Sequence, residues 1–317
     1  MSILDDTRMM IKVCKMYYQE GLSQNEIAKK MKISRPTVSR HLNQAKRKGI
    51  VEIKINENDL LELEKELEEK YKIKEVICVQ KNHNLKSTLG KSAADYILRN
   101  LKDGDTLAVS AGTTVDQVAK MLTTHKTFPN SLLIPLVGGM GNVTIDIHAN
   151  HIVDTFSKKL GTKSLFLHAP VVVDDKYSKE FIMKQKFVQN ITENYSKTKI
   201  AIVGIGSNPL ESTMVSAYND ELSISDISKI NATGDIFYNF IDKDGKQLDC
   251  EWNDKVISIS FEEYKKIPLK IGVAGGINKA SAIHAALKNE LIDVLVIDEE
   301  TAINILREIL IKQKTSH

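Results

Sequence analysis

Two serines frame the start of this chain. Ser23 and Ser34 each precede a short stretch with apolar residues at helical spacing. A small hydroxyl side chain in that position is a helix N-cap signal. Glu26 follows Ser23 by three residues, the spacing of a capping box. Ile27, Ala28 and Met31 then share one apolar face, and Val38 and Leu42 share another. Pro36 falls in the first turn of the second helix, where a missing N–H costs little. Gly49, after Lys46-Arg47-Lys48, supplies a stop. Two short helices joined by a tight turn in this way form the layout of a DNA-reading helix-turn-helix. A plain helical hairpin with a solvated charged face is the alternative. Agreement of caps, spacing and surface chemistry disfavours it.

The inward positions leave Arg35, Thr37, Ser39, Arg40 and Gln44 facing outward. Arg suits guanine edges or phosphate; Thr, Ser and Gln suit base edges or phosphate. Gln24, Ser34 and Arg47 complete the expected DNA-contacting set. Val51-Glu52-Ile53-Lys54-Ile55 alternates and predicts a short strand, a possible wing. Charge is unevenly spread. Residues 1–50 hold 11 Lys/Arg against 4 Asp/Glu, about +7, whereas the whole chain carries +3, leaving about −4 elsewhere. A basic module on a mildly acidic body suits phosphate-backbone binding by one end, with steep salt dependence.

A chain of 317 residues suits two domains, and 42% hydrophobic residues supply ample core. Its longest apolar runs, such as residues 132–137, fall far short of a bilayer span, so no membrane partner is expected. The start, Met1-Ser2-Ile3-Leu4-Asp5-Asp6, shows no charged-then-apolar signal segment. Cys14, Cys78 and Cys250 are scattered without a CxxC pair, which suits the reducing cytoplasm.

Residues 56–72 place Leu60, Leu63, Leu67 and Tyr71 at helical spacing among acidic residues. This linker helix either pairs with a second subunit or packs on its own domain. From residue 73 onward the pattern changes. Strands are expected at 76–79, 106–110, 132–137, 164–168, 200–204, 271–274 and 294–297. Helical stretches lie between them, as at 89–101, 114–122 and 280–287. That alternation predicts an α/β fold with a largely parallel sheet, whose ligands bind at the carboxyl ends of the strands. The domains expected are therefore 1–55, a linker helix over 56–72, and an α/β domain over 73–317.

The loops after those strands are rich in glycine. Ser110-Ala111-Gly112-Thr113-Thr114 opens a helix and forms a phosphate cradle by mechanism: close backbone approach, free helix N–H groups and hydroxyl donors. Gly138-Gly139-Met140-Gly141 and Gly204-Ile205-Gly206-Ser207 follow two more strands, and Gly275-Gly276-Ile277-Asn278-Lys279 another, with a lysine at the helix start. Strand-to-helix turns need glycine anyway, but four such loops in one sheet point to a shared anion site. No G-x-G-x-x-G opens a first βαβ unit and no G-x-x-x-x-G-K-[ST] occurs, so NAD and ATP are disfavoured and no cofactor is expected. Asp235, beside Gly234, could accept hydrogen bonds from a sugar hydroxyl or simply cap a turn. Asp242-Lys243-Asp244-Gly245 reads as a β-turn, its glycine being too early for an EF-hand. Asp146, His148, His151 and Asp154 could meet around a metal, but surface helix positions explain them better, and no metal is expected.

These residues, taken in order, resemble the SorC family of bacterial sugar-responsive transcription regulators, grouped with DeoR-type proteins. The resemblance is carried by residues 21–28 and 34–40, by Pro135-Leu136-Val137-Gly138-Gly139, Ala169-Pro170 and Val203-Gly204-Ile205-Gly206. It continues through Gly234-Asp235-Ile236, residues 242–245, residues 275–283 and Asp298-Glu299-Glu300-Thr301-Ala302. It implies a Rossmann-like effector domain similar to sugar-phosphate isomerases, used for binding without turnover. It implies a phosphorylated sugar as effector, operator DNA as partner, and a homo-dimer or tetramer. By resemblance, Thr113 and Thr114 fall on the phosphate loop, Asp235 on the hydroxyl-binding acid and Lys279 on the ligand-facing lysine. The full expected effector set is Gly112, Thr113, Thr114, Gly138, Gly139, Gly206, Asp235, Gly276 and Lys279. The loop at residues 110–112 lacks the aromatic or second glycine common there. An isomerase-like enzyme with an appended DNA-binding module is the second reading, Asp235 and Lys279 then doing acid–base work.

Overall fold

The N-terminal helices form because their caps close locally. In the computed structural model, which describes residues 3–51, 59–139, 148–209 and 230–314, α2 spans Gln24–Met31 behind a complete capping box. The Ser23 N–H donates to Glu26 Oε2 at 2.8 Å, and the Glu26 N–H donates to Ser23 Oγ at 3.3 Å. Lys32, at φ 55°, ends that helix in the left-handed region. Ser34 then caps α3, Arg35–Arg47, with Pro36 in its first turn. A further helix, α1 (Ile3–Tyr18), supplies Met10 and Val13 to a small core with Ile27, Val38, Leu42 and Ala45. The wing expected at 51–55 lies outside the described residues from Glu52 onward.

The chain divides into two compact units, 1–57 and 58–317. The helix read as a linker, α4 (Asp59–Tyr71), belongs to the second unit. Leu67 is fully buried there. Glu64 and Glu68 accept the Cys78 and Val76 N–H groups at 2.7 and 2.8 Å. These carboxylates satisfy the open edge of β1 (Glu75–Val79), which an exposed edge strand would otherwise leave unpaired.

The sheet follows from central strands that are apolar on both faces. The order β1-β9-β8-β5-β2-β3-β4 is parallel throughout. Here β2 is Thr106–Val109, β3 Leu132–Pro135, β4 Lys163–Ser164, β5 Thr198–Gly206, β8 Leu269–Val273 and β9 Val294–Asp298. Leu107, Val109, Ile200 and Ile202 enter one core cluster, while Ala108, Ala201 and Val203 enter the other. Burial on both sides is the mark of a parallel α/β sheet. On the first face lie α5 (Leu85–Asn100), α6 (Thr113–Met121) and α7 (Ala149–Leu160). Beyond it the chain adds α8 (Lys176–Met183) and α9 (Lys186–Thr192).

The strand β5 runs on past the sheet. There it pairs antiparallel with β6 (Gly234–Ile236), which pairs with β7 (Asn239–Ile241). Two short helices, α10 (Glu251–Lys255) and α11 (Phe261–Lys265), follow that hairpin. On the second face pack α12 (Ala280–Lys288) and α13 (Glu299–Lys314), with α4. Among the described residues no helix is long and apolar enough to cross a membrane.

Beyond β3 the chain continues as a tight ladder. The Gly138 N–H donates to the Ile257 carbonyl at 3.0 Å, and Gly139 exchanges bonds with Ala169 and Val171 at 2.8 and 2.7 Å. A Cβ at Gly138 would stand 2.5 Å from the Pro170 carbonyl oxygen. Gly138→Ala should therefore destabilise the protein by about 1–3 kcal/mol through overpacking. Urea unfolding checks this, and an unchanged midpoint would refute the packing role.

Candidate functional site

The side chains expected to be functional fall on two surfaces. On α3, Val38, His41, Leu42 and Ala45 point inward. The opposite face presents Pro36, Arg40, Asn43 and Arg47, all exposed, with Arg35 exposed at the helix start. Ser39 and Gln44 flank that face and are partly buried, as is Gln24 at the start of α2. Ser34 and Thr37 are engaged with each other: Ser34 Oγ accepts the Thr37 N–H at 3.3 Å, and the two hydroxyls lie 2.8 Å apart. Asn43 is an addition to the expected set. Its only sequence signal is its helical spacing from Arg40 and Arg47.

The second surface is a cavity of about 730 Å³ at the carboxyl ends of β1, β2, β5 and β8. Connections from β2 run to β3 and β4, while those from β5 run back to β8 and β9. The cavity thus sits at a topological switch point, where no crossover covers the sheet. It brings together Gly112, Thr113, Thr114, Gly206, Asp235 and Lys279. Gly112, at φ 110°, precedes α6 without a side-chain cap, so the first N–H groups of that helix carry no capping side chain. Thr114 and Ser207 line the cavity yet are only 8% and 5% exposed. Neither hydroxyl has a hydrogen-bond partner among the described residues.

Gly138, Gly139 and Gly276 do not line the cavity. The first two belong to the ladder with Ala169 and Val171 described above. Gly276 spends its N–H on Asp298 Oδ2 and Thr301 Oγ1, at 2.8 and 2.9 Å. Residues 140–141 and Asp146 lie outside the described residues. Asp154 pairs with Lys158 at 2.6 Å on the surface of α7. Among the described residues no His, Cys, Asp and Glu group is arranged to hold a metal ion.

Asp235 is a strand residue, not a turn residue. It faces Gly206 across the β5–β6 pair. A Cβ at Gly206 would lie 1.9 Å from Asp235 Oδ1, so the glycine makes room for the carboxylate. Gly234 is likewise a packing glycine, its missing Cβ lying 2.4 Å from Ala282 Cβ. The β6–β7 turn consists of Phe237 and Tyr238, at φ 38° and 65°. Such a turn favours Asn and Gly, so these residues are strained. Phe237 is held at 4.9 Å from both the Phe261 and Tyr264 rings. Trp252 Nε1 donates to the Tyr238 carbonyl at 2.8 Å.

The sugar-binding domain family matches residues 56–307, and the MarR family matches residues 16–60. The chain is 32% identical over 303 residues to the deoxyribonucleoside regulator of Bacillus subtilis (strain 168), covering 93% of this chain and 96% of that one. In structure it is similar to the full-length sorbitol operon regulator SorC from Klebsiella pneumoniae, with a TM-score of 0.73 and 28% identity over 95% of this chain and 99% of that one. A DeoR family transcriptional regulator from Listeria monocytogenes is similar at a TM-score of 0.71 and 33% identity, over 78% of this chain and 100% of that one. The chain belongs to the SorC family of sugar-binding transcription regulators. It joins a DNA-binding helix-turn-helix to an α/β sugar-binding domain.

The cavity also contains groups that the glycine loops do not announce. His83, Asn84, Lys86 and Ser87 enter from the start of α5, which begins at Leu85, four residues before the expected Leu89. Asn84 just ahead of the apolar run was the available signal. Lys86 Nζ donates to Thr113 Oγ1 at 3.3 Å. Ser110, Gln117, Ser207, Tyr238 and Asn278 complete the polar lining.

Burial pushes the Asp235 carboxyl up to about 6, against the pull of Lys279 and the Tyr238 N–H. Burial likewise lowers the Lys279 ammonium, with Asp235 opposing and Lys86 assisting. The folded state holds the Asp235 proton more tightly than the unfolded chain does. Stability should therefore fall as pH rises from about 4 to about 6 through this group. Asp235→Asn should be more stable than the natural chain at about pH 7, by up to about 3 kcal/mol, with the gap closing near pH 4. Thermal unfolding across that range tests it; a gap that does not change with pH would remove Asp235 as its source.

Proposed function

We propose that the cavity takes a phosphorylated sugar and that its occupancy sets the affinity of the helix-turn-helix for operator DNA. One observation carries the reading. The uncapped N-terminus of α6, behind Gly112, opens on the same cavity as Lys86, Lys279 and the buried Asp235 carboxyl, with Thr114 and Ser207 in its lining. An anion at the α6 N-terminus would meet free N–H groups, Thr113, and the charges of Lys86 and Lys279. Asp235, deep in the same cavity, would accept from sugar hydroxyls. Gly112, with open space where a Cβ would stand, allows the close approach.

In this reading the protein is a sensor that binds without turnover, working in the cytoplasm as a homo-dimer or tetramer. Two recognition helices of the oligomer would meet successive half-sites, and Arg35, Arg40, Asn43 and Arg47 would carry the contacts. Differential affinity of the effector for two arrangements of the oligomer would shift operator binding. Turnover of a sugar phosphate by the purified protein would favour the isomerase-like alternative.

Operator binding, followed by fluorescence anisotropy with and without a panel of sugar phosphates, tests the proposal. At least one sugar phosphate should change operator affinity of the natural chain, and Lys279→Ala should weaken that response by roughly tenfold or more. Arg40→Ala should weaken operator binding by about tenfold and lower the salt slope by about one, while leaving effector binding intact. No response to any member of the panel would defeat the effector reading.

A further inference from the structure

The segment Asp298-Glu299-Glu300-Thr301-Ala302 contributes no side chain to the cavity, yet it is tied to the loop that does. Asp298 ends β9 and Thr301 lies in the first turn of α13, only 1% and 0% exposed. The Thr301 N–H donates to Asp298 Oδ1 at 3.2 Å, so the carboxylate caps α13. The Thr301 hydroxyl donates to Asp298 Oδ2 at 2.6 Å. Both of those oxygens then receive the Gly276 N–H, at 2.8 and 2.9 Å. One carboxylate therefore caps a helix and clamps the end of the neighbouring strand, β8.

The loop is shaped for this clamp. A Cβ at Gly275 would lie 2.6 Å from Asp298 Oδ2, so only glycine admits the carboxylate. Gly276 sits at φ 107°, which disfavours any side chain. From the clamped Gly276 the chain makes a single 3-10 turn, closed by the Lys279 N–H donating to the Gly276 carbonyl at 2.9 Å. That turn delivers Lys279 to the cavity wall at the start of α12.

We infer that Asp298 and Thr301 are positioning residues: their shared grip on the Gly276 N–H fixes the loop that holds the Lys279 ammonium in the effector cavity. The pair touches no ligand and acts through three residues of backbone. The inference rests on the cavity being the effector site. Loss of the Thr301 hydroxyl removes one acceptor for Gly276 and one donor to Asp298, freeing the loop to swing Lys279 towards solvent. Burial currently depresses that ammonium, so its titration reports its position without any effector.

The test uses the full-length chain with carbon-13-labelled lysine, the Lys279 resonance being identified by its loss in Lys279→Arg. In Thr301→Val the Lys279 titration should move up towards the ordinary lysine value of about 10.4. Thr301→Ser, which keeps the hydroxyl, should titrate like the natural chain. A Thr301→Val protein that is less stable but leaves the Lys279 titration in place would overturn the inference. Should Thr301→Val fail to fold, Asp298→Asn serves in its place with the same expectation. Inorganic phosphate supplies a second readout. Thr301→Val should weaken its binding severalfold in the natural background and have no further effect in Lys279→Ala; additive losses would also overturn the inference. If the natural chain bound no phosphate while Thr301→Val still shifted Lys279, the clamp would stand and the sugar-phosphate reading would fall.

Discussion

The pairing of β2 with β5 is the constraint on which the rest of the α/β unit depends. Ser110, just past β2, donates its N–H to the Ile202 carbonyl at 3.0 Å, and its hydroxyl receives the Gly204 N–H at 3.3 Å. These bonds hold the two strands together up to the point where their connections part. Beyond it the backbone must turn away in opposite directions, because parallel strands require crossovers and these run to opposite edges of the sheet. The opening left between them is the cavity. Gly112, Thr114, Gly206 and Ser207 stand at its floor because they follow within a few residues the end of the β2–β5 pairing.

Asp235 reaches that floor by a different route. The extended end of β5 pairs antiparallel with β6, and the missing side chain of Gly206 leaves space for the carboxylate. The turn that follows carries Phe237 and Tyr238 in a backbone region that costs roughly 1–3 kcal/mol per residue. Ring packing by Phe261 and Tyr264 and the hydrogen bond from Trp252 offset that strain. A turn with Asn and Gly would relax it but would place no aromatic side chain against the cavity. Strain retained beside a buried carboxylate is consistent with a binding site maintained at some expense of stability.

Local interactions made much of the chain legible in advance. The capping box of Ser23 and Glu26 and the cap at Ser34 operate within one helical turn, so sequence spacing alone locates α2 and α3. Strands buried on both faces read as continuous apolar runs, and their alternation with helices gives the parallel sheet. The glycine loops were less decisive. Gly112 and Gly138 follow strands in the same way, yet one admits a helix N-terminus to the cavity while the other admits the Pro170 carbonyl. What separates them is a partner more than thirty residues away, which spacing does not reveal. Lys86 was hidden for a similar reason: nothing near it in sequence marks β1 as a neighbour of the cavity.

The sequence by itself determined the helix-turn-helix, the α/β alternation and the residue types available for an anion and a sugar hydroxyl, because caps, periodicity and composition act over a few residues. Tertiary structure alone decided which glycine loops converge, that Asp235 is a buried strand residue opposite Gly206, and that Asp298 with Thr301 clamps the loop before Lys279. Those outcomes depend on strand order and on contacts between segments far apart in the chain, where a few tenths of an ångström of packing space decide which backbone can approach which.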